Sequence, residues 1–270
     1  MATLQLVVIA VVQGITEFLP VSSSAHLRLI PEFTGWPDQG LTIDIAVHVG
    51  TLLAVLVYFR RDALALAQGS FDILRGRSSR SAALVVYLAL ATLPIVVAGL
   101  LLLAGGYEDG DLSRLRQPDI IGWTMLVFGL LLYLADRRGM TVRRIEHMTL
   151  GSVLVIGCAQ VAALVPGTSR SGVTMTAARM LGFERADGAR FAVLLGIPAI
   201  VASAVPSGIA LYARGDAALG FDALLAALMA FAAAVAALAA MMSWLRRATF
   251  APFVAYRVLL GIAILAWVYV

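Results

Sequence analysis

Two short stretches of this sequence concentrate side chains that could do chemistry. The first, Gln13-Gly14-Ile15-Thr16-Glu17-Phe18-Leu19-Pro20-Val21-Ser22-Ser23-Ser24-Ala25-His26, holds an acid, an imidazole and three consecutive serines. Gln13 and Glu17 are four residues apart and share one face if the segment is helical, while Ser23 and His26, three apart, share another. The second stretch, Pro166-Gly167-Thr168-Ser169-Arg170-Ser171-Gly172-Val173-Thr174, offers a guanidinium, hydroxyls and the free N–H groups of a half-helix starting near Ser169. A helix N-terminus beside an arginine fork is an anion site whose geometry matches phosphate, and the glycines let backbone approach a ligand closely. A carboxylate and an imidazole facing such a cradle suit phosphoryl chemistry, in which positioning and charge neutralisation do most of the work. Each group also has a plainer use. Serines and threonines in apolar helices often only bond to backbone or join helices, Arg170 could snorkel, and Glu17 could be a packing residue or a proton carrier. The clustering of Glu17, His26 and Arg170 at two proline breaks favours chemistry.

The elements that must position these groups are membrane helices. Of 270 residues, 61% are hydrophobic and 13% charged, with a mean hydropathy of +0.94. That leaves too little polar surface to wrap a soluble globule, and excludes a cytosolic enzyme, a disulfide scaffold and a disordered chain. A helix crossing the hydrocarbon needs about 20 mainly apolar residues, and six stretches qualify: 42–60, 82–105, 118–135, 187–213, 219–245 and 251–270. The apolar segments 4–19 and 149–165 are shorter, and each stops at a proline followed by hydroxyl residues and a second short helix. Broken helices at membrane depth are tolerated where their freed backbone groups are buried or line a wet cavity, so both read as re-entrant hairpins. The expected fold is an all-α integral membrane protein, one domain over 1–270, with six transmembrane helices and two re-entrant hairpins.

All 20 basic residues are arginines, giving a net charge of +4, and most lie in short segments between apolar runs. This suits membrane flanks and argues against a nucleic-acid partner. Arg60, Arg61, Arg75, Arg77 and Arg80, then Arg137, Arg138, Arg143 and Arg144, then Arg246 and Arg247 mark three cytoplasmic loops. The opposite loops, with Glu108, Asp109, Asp111, Arg114 and Arg116 and with Arg214 and Asp216, are much less basic. Both termini and the first hairpin then face outward, and nothing basic precedes the first apolar run to suggest a cleavable signal. Superposing Pro20 on Pro166 sets an offset of 146 and carries 42–60 onto 188–206. Each half, about 1–135 and 149–270, is then one hairpin plus three crossings, an inverted-topology repeat whose breaks meet near the midplane.

With these motifs the chain resembles the undecaprenyl-diphosphate phosphatases of the bacitracin-resistance type, integral membrane enzymes of bacterial cell-wall lipid recycling. The resemblance covers nearly the whole chain, through the block Thr16 to Ser23 with His26, the block Pro166 to Thr174, and Pro252-Phe253 to Arg257. It implies removal of the terminal phosphate from undecaprenyl diphosphate in the bacterial plasma (inner) membrane, with the site and both termini open to the periplasm. It further implies dependence on a divalent cation such as Mg²⁺ or Ca²⁺. The family's glutamate-rich motif falls on Gln13 and Glu17, where Gln13 removes one carboxylate from a cation pair and leaves Glu17 as the metal ligand. The hydroxyl-His element falls on Ser22, Ser23, Ser24 and His26, with Ala25 where Gly is common; the phosphate-binding element falls on Gly167, Ser169, Arg170, Ser171 and Thr174.

The resulting hypothesis docks the diphosphate between the hairpins with Arg170, Ser169 and Thr174 on the leaving phosphoryl group. Ser23 is then the first choice of nucleophile, with His26 as its base and Glu17 orienting His26 or holding the cation. Attack by water or by His26 would use almost the same residues. Arg257, some six residues into the last span, either snorkels or reaches an anionic ligand. His48 and Asp44 read as interface residues, Asp187 and Arg190 as cytoplasmic anchors, His147 as solvated and Cys158 as packing. A secondary transporter or lipid flippase is the rival function. The sequence leaves the oligomeric state open, a homodimer among the options.

Overall fold

A computed structural model describes residues 3–105, 114–213 and 220–270. Glu108, Asp109, Asp111, Arg214 and Asp216 lie outside the described residues. Among those described, the chain is helical apart from one isolated bridge between Arg143 and Phe183. In order, the helices are α1 (Thr3–Thr16), α2 (Ser23–Thr34), α3 (Gly40–Tyr58), α4 (Arg60–Leu74), α5 (Arg80–Ala104), α6 (Pro118–Arg138), α7 (Leu150–Gln160), α8 (Arg170–Met180), α9 (Arg185–Leu194), α10 (Gly196–Ala213), α11 (Phe221–Leu245) and α12 (Ala251–Tyr269). Five are long and apolar enough to cross a membrane: Gly40–Tyr58, Arg80–Leu102, Pro118–Arg138, Phe221–Leu245 and Ala251–Tyr269. This makes the chain an integral membrane protein of helical build.

The stretch 187–213 is not one continuous helix. It divides at Leu195 into α9 and α10, because Pro198 has no N–H for the carbonyl of Leu194 and so interrupts the ladder. Residues 60–74, read as part of a linker, form the amphipathic helix α4. Cys158 is exposed, since the buried face of α7 is made by Val153, Ile156, Gly157 and Gln160.

Close approach of helices rests on small residues. The buried face of α11 is Ala223, Ala226, Ala230, Ala234 and Leu238, at spacings of three and four, and α1 and α3 both pack on it. A Cβ on Gly14 would lie 2.5 Å from the carbonyl oxygen of Ala230, so a larger residue there would push α1, and with it Gln13, off this seat. Between α6 and α12, Gly122 and Gly261 meet in the same way.

The two proline breaks are built alike. Ser22 has φ 72° and Ser169 φ 70°, the two described non-glycine residues with positive φ, a sparsely populated conformation that costs on the order of 1–3 kcal/mol at each. Ser22 Oγ accepts the N–H of Ala25 at 3.4 Å, and Ser169 Oγ accepts that of Gly172 at 3.0 Å, so each serine caps the half-helix it precedes. The equivalent serines are 147 residues apart, one more than the spacing of the prolines. The second loop has an extra residue between proline and cap, accommodated by Gly167 at φ 88°.

At the other end of the bundle a single carboxylate ties four helices together. Asp136 of α6 accepts Arg179 Nε of α8 at 3.0 Å, Arg185 Nε of α9 at 2.7 Å, and the N–H of Phe250, the cap of α12, at 3.1 Å. Arg179 is 1% exposed, and its remaining N–H groups go to the carbonyls of Met140, Phe183, Asp136 and Gly139.

Candidate active site

Glu17 follows α1 directly and is buried. Its Oε1 accepts Arg170 Nη2 at 2.9 Å; its Oε2 accepts Ser23 Oγ at 2.7 Å and Gln13 Nε2 at 3.0 Å. The first break thus meets the second across 153 residues of sequence. Ser23 and Arg170 are each the first residue of a half-helix, so the positive ends of two helix dipoles converge on this carboxylate.

Three polar atoms here are buried without a partner among the described residues: Gln13 Oε1, Thr168 Oγ1 and Arg170 Nη1. An unpaired buried group costs about 1–3 kcal/mol, so each of these atoms is a candidate to bond a ligand. Arg170 itself runs beside Gly196, where a Cβ would lie 2.8 Å from Nη1. The helix division at Leu195 therefore brings a glycine to the guanidinium. A cavity of about 400 Å³ opens beside Gln13, Ser23 and Ser24, with Arg28, Asp44, His48 and Arg116 also on its wall.

Other expected site residues are occupied otherwise. Ser22 and Ser169 are caps, and their hydroxyls pair with Ser24 at 3.2 Å and Ser171 at 3.1 Å. Ser171 also donates to the Leu19 carbonyl at 2.8 Å, a direct bond between the breaks. Thr174 donates back to the carbonyls of Arg170 and Ser171 within its own helix. These hydroxyls shape the cradle from behind. A Cβ on Gly167 would lie 2.8 Å from the Ile121 carbonyl oxygen, so only glycine fits.

Two of the expected site residues are held by other contacts. Arg257 neither snorkels nor points into the cavity: it is 0% exposed, and its guanidinium donates to the carbonyls of Pro20 (3.2 Å), Gly167 (2.9 Å), Thr168 (3.0 Å), Met125 (3.3 Å) and Thr124 (3.4 Å). The strained turns of both breaks leave carbonyls without helical partners, and this one side chain collects them. His26 does not pair with Ser23. Its Nδ1 bonds the Ser22 carbonyl at 2.7 Å, its Nε2 meets the Tyr256 hydroxyl at 2.5 Å, and the two rings stack with centroids 5.6 Å apart. The Ser23 hydroxyl turns back to Glu17 instead.

The donor set does not amount to a cation cage. Both oxygens of Glu17 are engaged, Gln13 contributes a single amide oxygen, and no group of three His, Cys, Asp or Glu occurs among the described residues. A hard divalent cation needs six or more oxygens.

Tyr256, His48 and Gly196 were not singled out for the site by the sequence. For His48 a signal existed, since an ionisable residue inside an apolar span is a functional candidate by default. Arg190, read as an anchor, forms an ion pair with Asp62 that joins α9 to α4.

Known proteins resemble this chain over essentially its whole length. A model of the family described as bacitracin resistance protein BacA matches residues 6–263. A protein of Rhodospirillum rubrum named undecaprenyl-diphosphatase 1 is 51% identical over 277 residues, covering 100% of this chain and 96% of that protein. A Roseobacter denitrificans protein named undecaprenyl-diphosphatase is 47% identical over 270 residues, with both chains covered in full. One of the same name from Hahella chejuensis is 46% identical over 271 residues, again with full coverage of both. With the family model matching residues 6–263 and these relatives matching over essentially their full length, this protein belongs to the bacitracin resistance protein BacA family.

Proposed function

We propose that this chain hydrolyses undecaprenyl diphosphate to undecaprenyl phosphate and inorganic phosphate, returning the lipid carrier to cell-wall synthesis. The observation that carries this reading is Glu17 bonded at once to Ser23 and Arg170, beside unpartnered polar atoms and a polar cavity. The names of the full-length relatives point the same way.

In the proposed reaction the terminal phosphate comes to lie against Arg170, whose buried Nη1 has no hydrogen-bond partner among the described residues. Ser23 Oγ attacks the terminal phosphorus, and its proton passes to the Glu17 carboxylate 2.7 Å away. The anhydride P–O bond breaks with its electron pair on the lipid monophosphate, a leaving group that needs little protonation. Water then attacks the phosphoserine, freeing inorganic phosphate, and Ser23 recovers its proton from Glu17. His26 steadies the start of α2 through the Ser22 carbonyl and Tyr256. We infer that a dependence on Mg²⁺ or Ca²⁺ would enter with the substrate, whose phosphate oxygens supply ligands that Glu17 and Gln13 lack.

Around this site, the two helix pairs α1–α2 and α7–α8 are proposed to be re-entrant hairpins, with α9 and α10 together forming a sixth crossing. The similar breaks, with equivalent residues 147 apart, and the arginine distribution support an inverted repeat seated in the inner membrane with the cavity open to the periplasm.

The test is phosphate release from undecaprenyl diphosphate by the purified chain in detergent micelles, with and without chelator. Release by the wild type and its loss in Arg170→Ala is the expected result. No release from the wild type, or undiminished release from Arg170→Ala, would overturn the reading. A transporter would need sealed vesicles to show activity, so release in micelles also decides against that rival.

A further inference from the structure

One imidazole faces the cavity, and it is His48. On α3, its Nδ1 bonds the carbonyl oxygen of Asp44 at 2.7 Å. A carbonyl can only accept, so in the neutral ring Nδ1 carries the hydrogen and Nε2 keeps its lone pair. No hydrogen bond to Nε2 is present among the described residues. His26 has the same tautomer, fixed by the Ser22 carbonyl, but its Nε2 is taken by Tyr256. His48 is half-buried and shares the 400 Å³ cavity with Ser23 and Gln13. The charged groups facing it are Glu17 after α1, Arg28 of α2, Asp38 between α2 and α3, Asp44 of its own helix, and Arg116.

The reaction proposed above leaves one proton without an acceptor. Glu17 holds the proton of Ser23 until the phosphoserine breaks down, so it cannot also take one from the attacking water. Resting on that reading, we propose that His48 Nε2 is the base for the hydrolytic water. The water oxygen bonds to the phosphorus of phosphoserine 23, and the P–Oγ bond breaks with its electron pair on Oγ, which regains its proton from Glu17. The proton of the water goes to His48 Nε2 and is then lost to bulk water through the cavity mouth. Only water is consumed.

The experiment compares wild type, His48→Gln and His48→Ala, each as the full chain in micelles with undecaprenyl diphosphate labelled at the terminal phosphate. Steady-state rates, acid-quenched label on protein, and rescue by added imidazole are measured. A general base contributes about 10²- to 10⁴-fold, so kcat is expected to fall in that range, with KM falling beside it as breakdown of the phosphoserine becomes rate-limiting. Label should accumulate on Ser23 because the first step is spared, and imidazole should restore turnover to His48→Ala. A purely structural histidine would give neither trapped label nor rescue. Turnover within about twofold of wild type, a change confined to KM, or lost kcat with neither trapped label nor rescue overturns the proposal. Wild-type release and its loss in Ser23→Ala separately test the underlying reading. A variant that does not fold is recognised by its elution profile, and trapped label on the remaining one decides.

Discussion

Ser23 and Arg170 stand at the same position of two half-helices, 147 residues apart, and each binds one oxygen of the Glu17 carboxylate. The pair turns two similar breaks into one asymmetric site: a hydroxyl that can lose a proton on one side, a fixed cation on the other. Asymmetry is what the chemistry needs, because a nucleophile and an electrophile-stabilising group cannot be the same residue.

Arg170→Lys should separate holding Glu17 from binding phosphate. A lysine can put one charge near Glu17, but it cannot also present the second nitrogen that lies beside Gly196. Thermal unfolding in micelles should stay near wild type, while phosphate release falls by about 10²-fold, the loss typical of one preorganised donor. Arg170→Ala should lose stability as well, about 3 kcal/mol for breaking a pair this deeply buried. Equal melting of the two variants would contradict the division of labour.

Gln13→Glu should create a cation requirement carried by the chain itself. The new carboxylate would sit 3.0 Å from Glu17, where the amide nitrogen now donates, leaving two negative charges to share Arg170. Like charges at this separation repel, and a divalent cation relieves them. Titrating Mg²⁺ or Ca²⁺ into chelated protein should give half-maximal phosphate release at lower cation concentration in Gln13→Glu than in wild type. Without cation, the variant should be less stable than wild type.

The residues proposed to touch the substrate were legible in the sequence and the residues that hold the breaks together were not. Glu17, Ser23 and Arg170 could be found because intramembrane charges and hydroxyls beside prolines are costly, and cost implies use. The prolines are 146 residues apart but the cap serines 147, because Gly167 lengthens one loop, and that extra residue has no signature in the sequence. Arg257 showed only as a charge in an apolar helix. Its partners are backbone carbonyls of three other segments, which carry no side-chain signature. The division of 187–213 was likewise hidden, since Pro198 is compatible with either a kink or a break.

Arg257→Lys should show what that staple does. The ammonium has three donors on one point, against a planar fork that reaches carbonyls of α6 and of both breaks. Hydrogen bonds to a charged group contribute about 1.5–3 kcal/mol each, so losing two of them should lower stability by about 3 kcal/mol or more. Because the Pro20 and Gly167 turns would relax together, Ser23 and Arg170 should drift from Glu17, and kcat should fall more than KM rises. Denaturant melts and steady-state phosphate release check both halves of the prediction.

Asp136→Asn should damage folding far more than Arg185→Ala, although both remove the same kind of ion pair. Arg185 is partly exposed, with 26% of its side chain accessible, so its loss returns some of its cost through hydration and should change stability by less than about 1 kcal/mol. Arg179 has no such recourse. It is 1% exposed, and with Asp136 neutralised its charge would face only carbonyl oxygens, the situation in which a buried ion without its counterpart costs about 3–5 kcal/mol. The amide of an asparagine could still accept the Phe250 N–H, so the geometry of the node can persist while its charge balance fails. The expected outcome is reduced yield of monodisperse Asp136→Asn and a large fall in its melting temperature, with Arg185→Ala close to wild type. Removing the cation as well, in Asp136→Asn with Arg179→Met, should recover much of the loss, because the penalty comes from the unpaired charge. Failure of the double variant to recover would mean that the hydrogen bonds of Arg179 to Met140, Phe183 and Gly139 hold this end of the bundle instead.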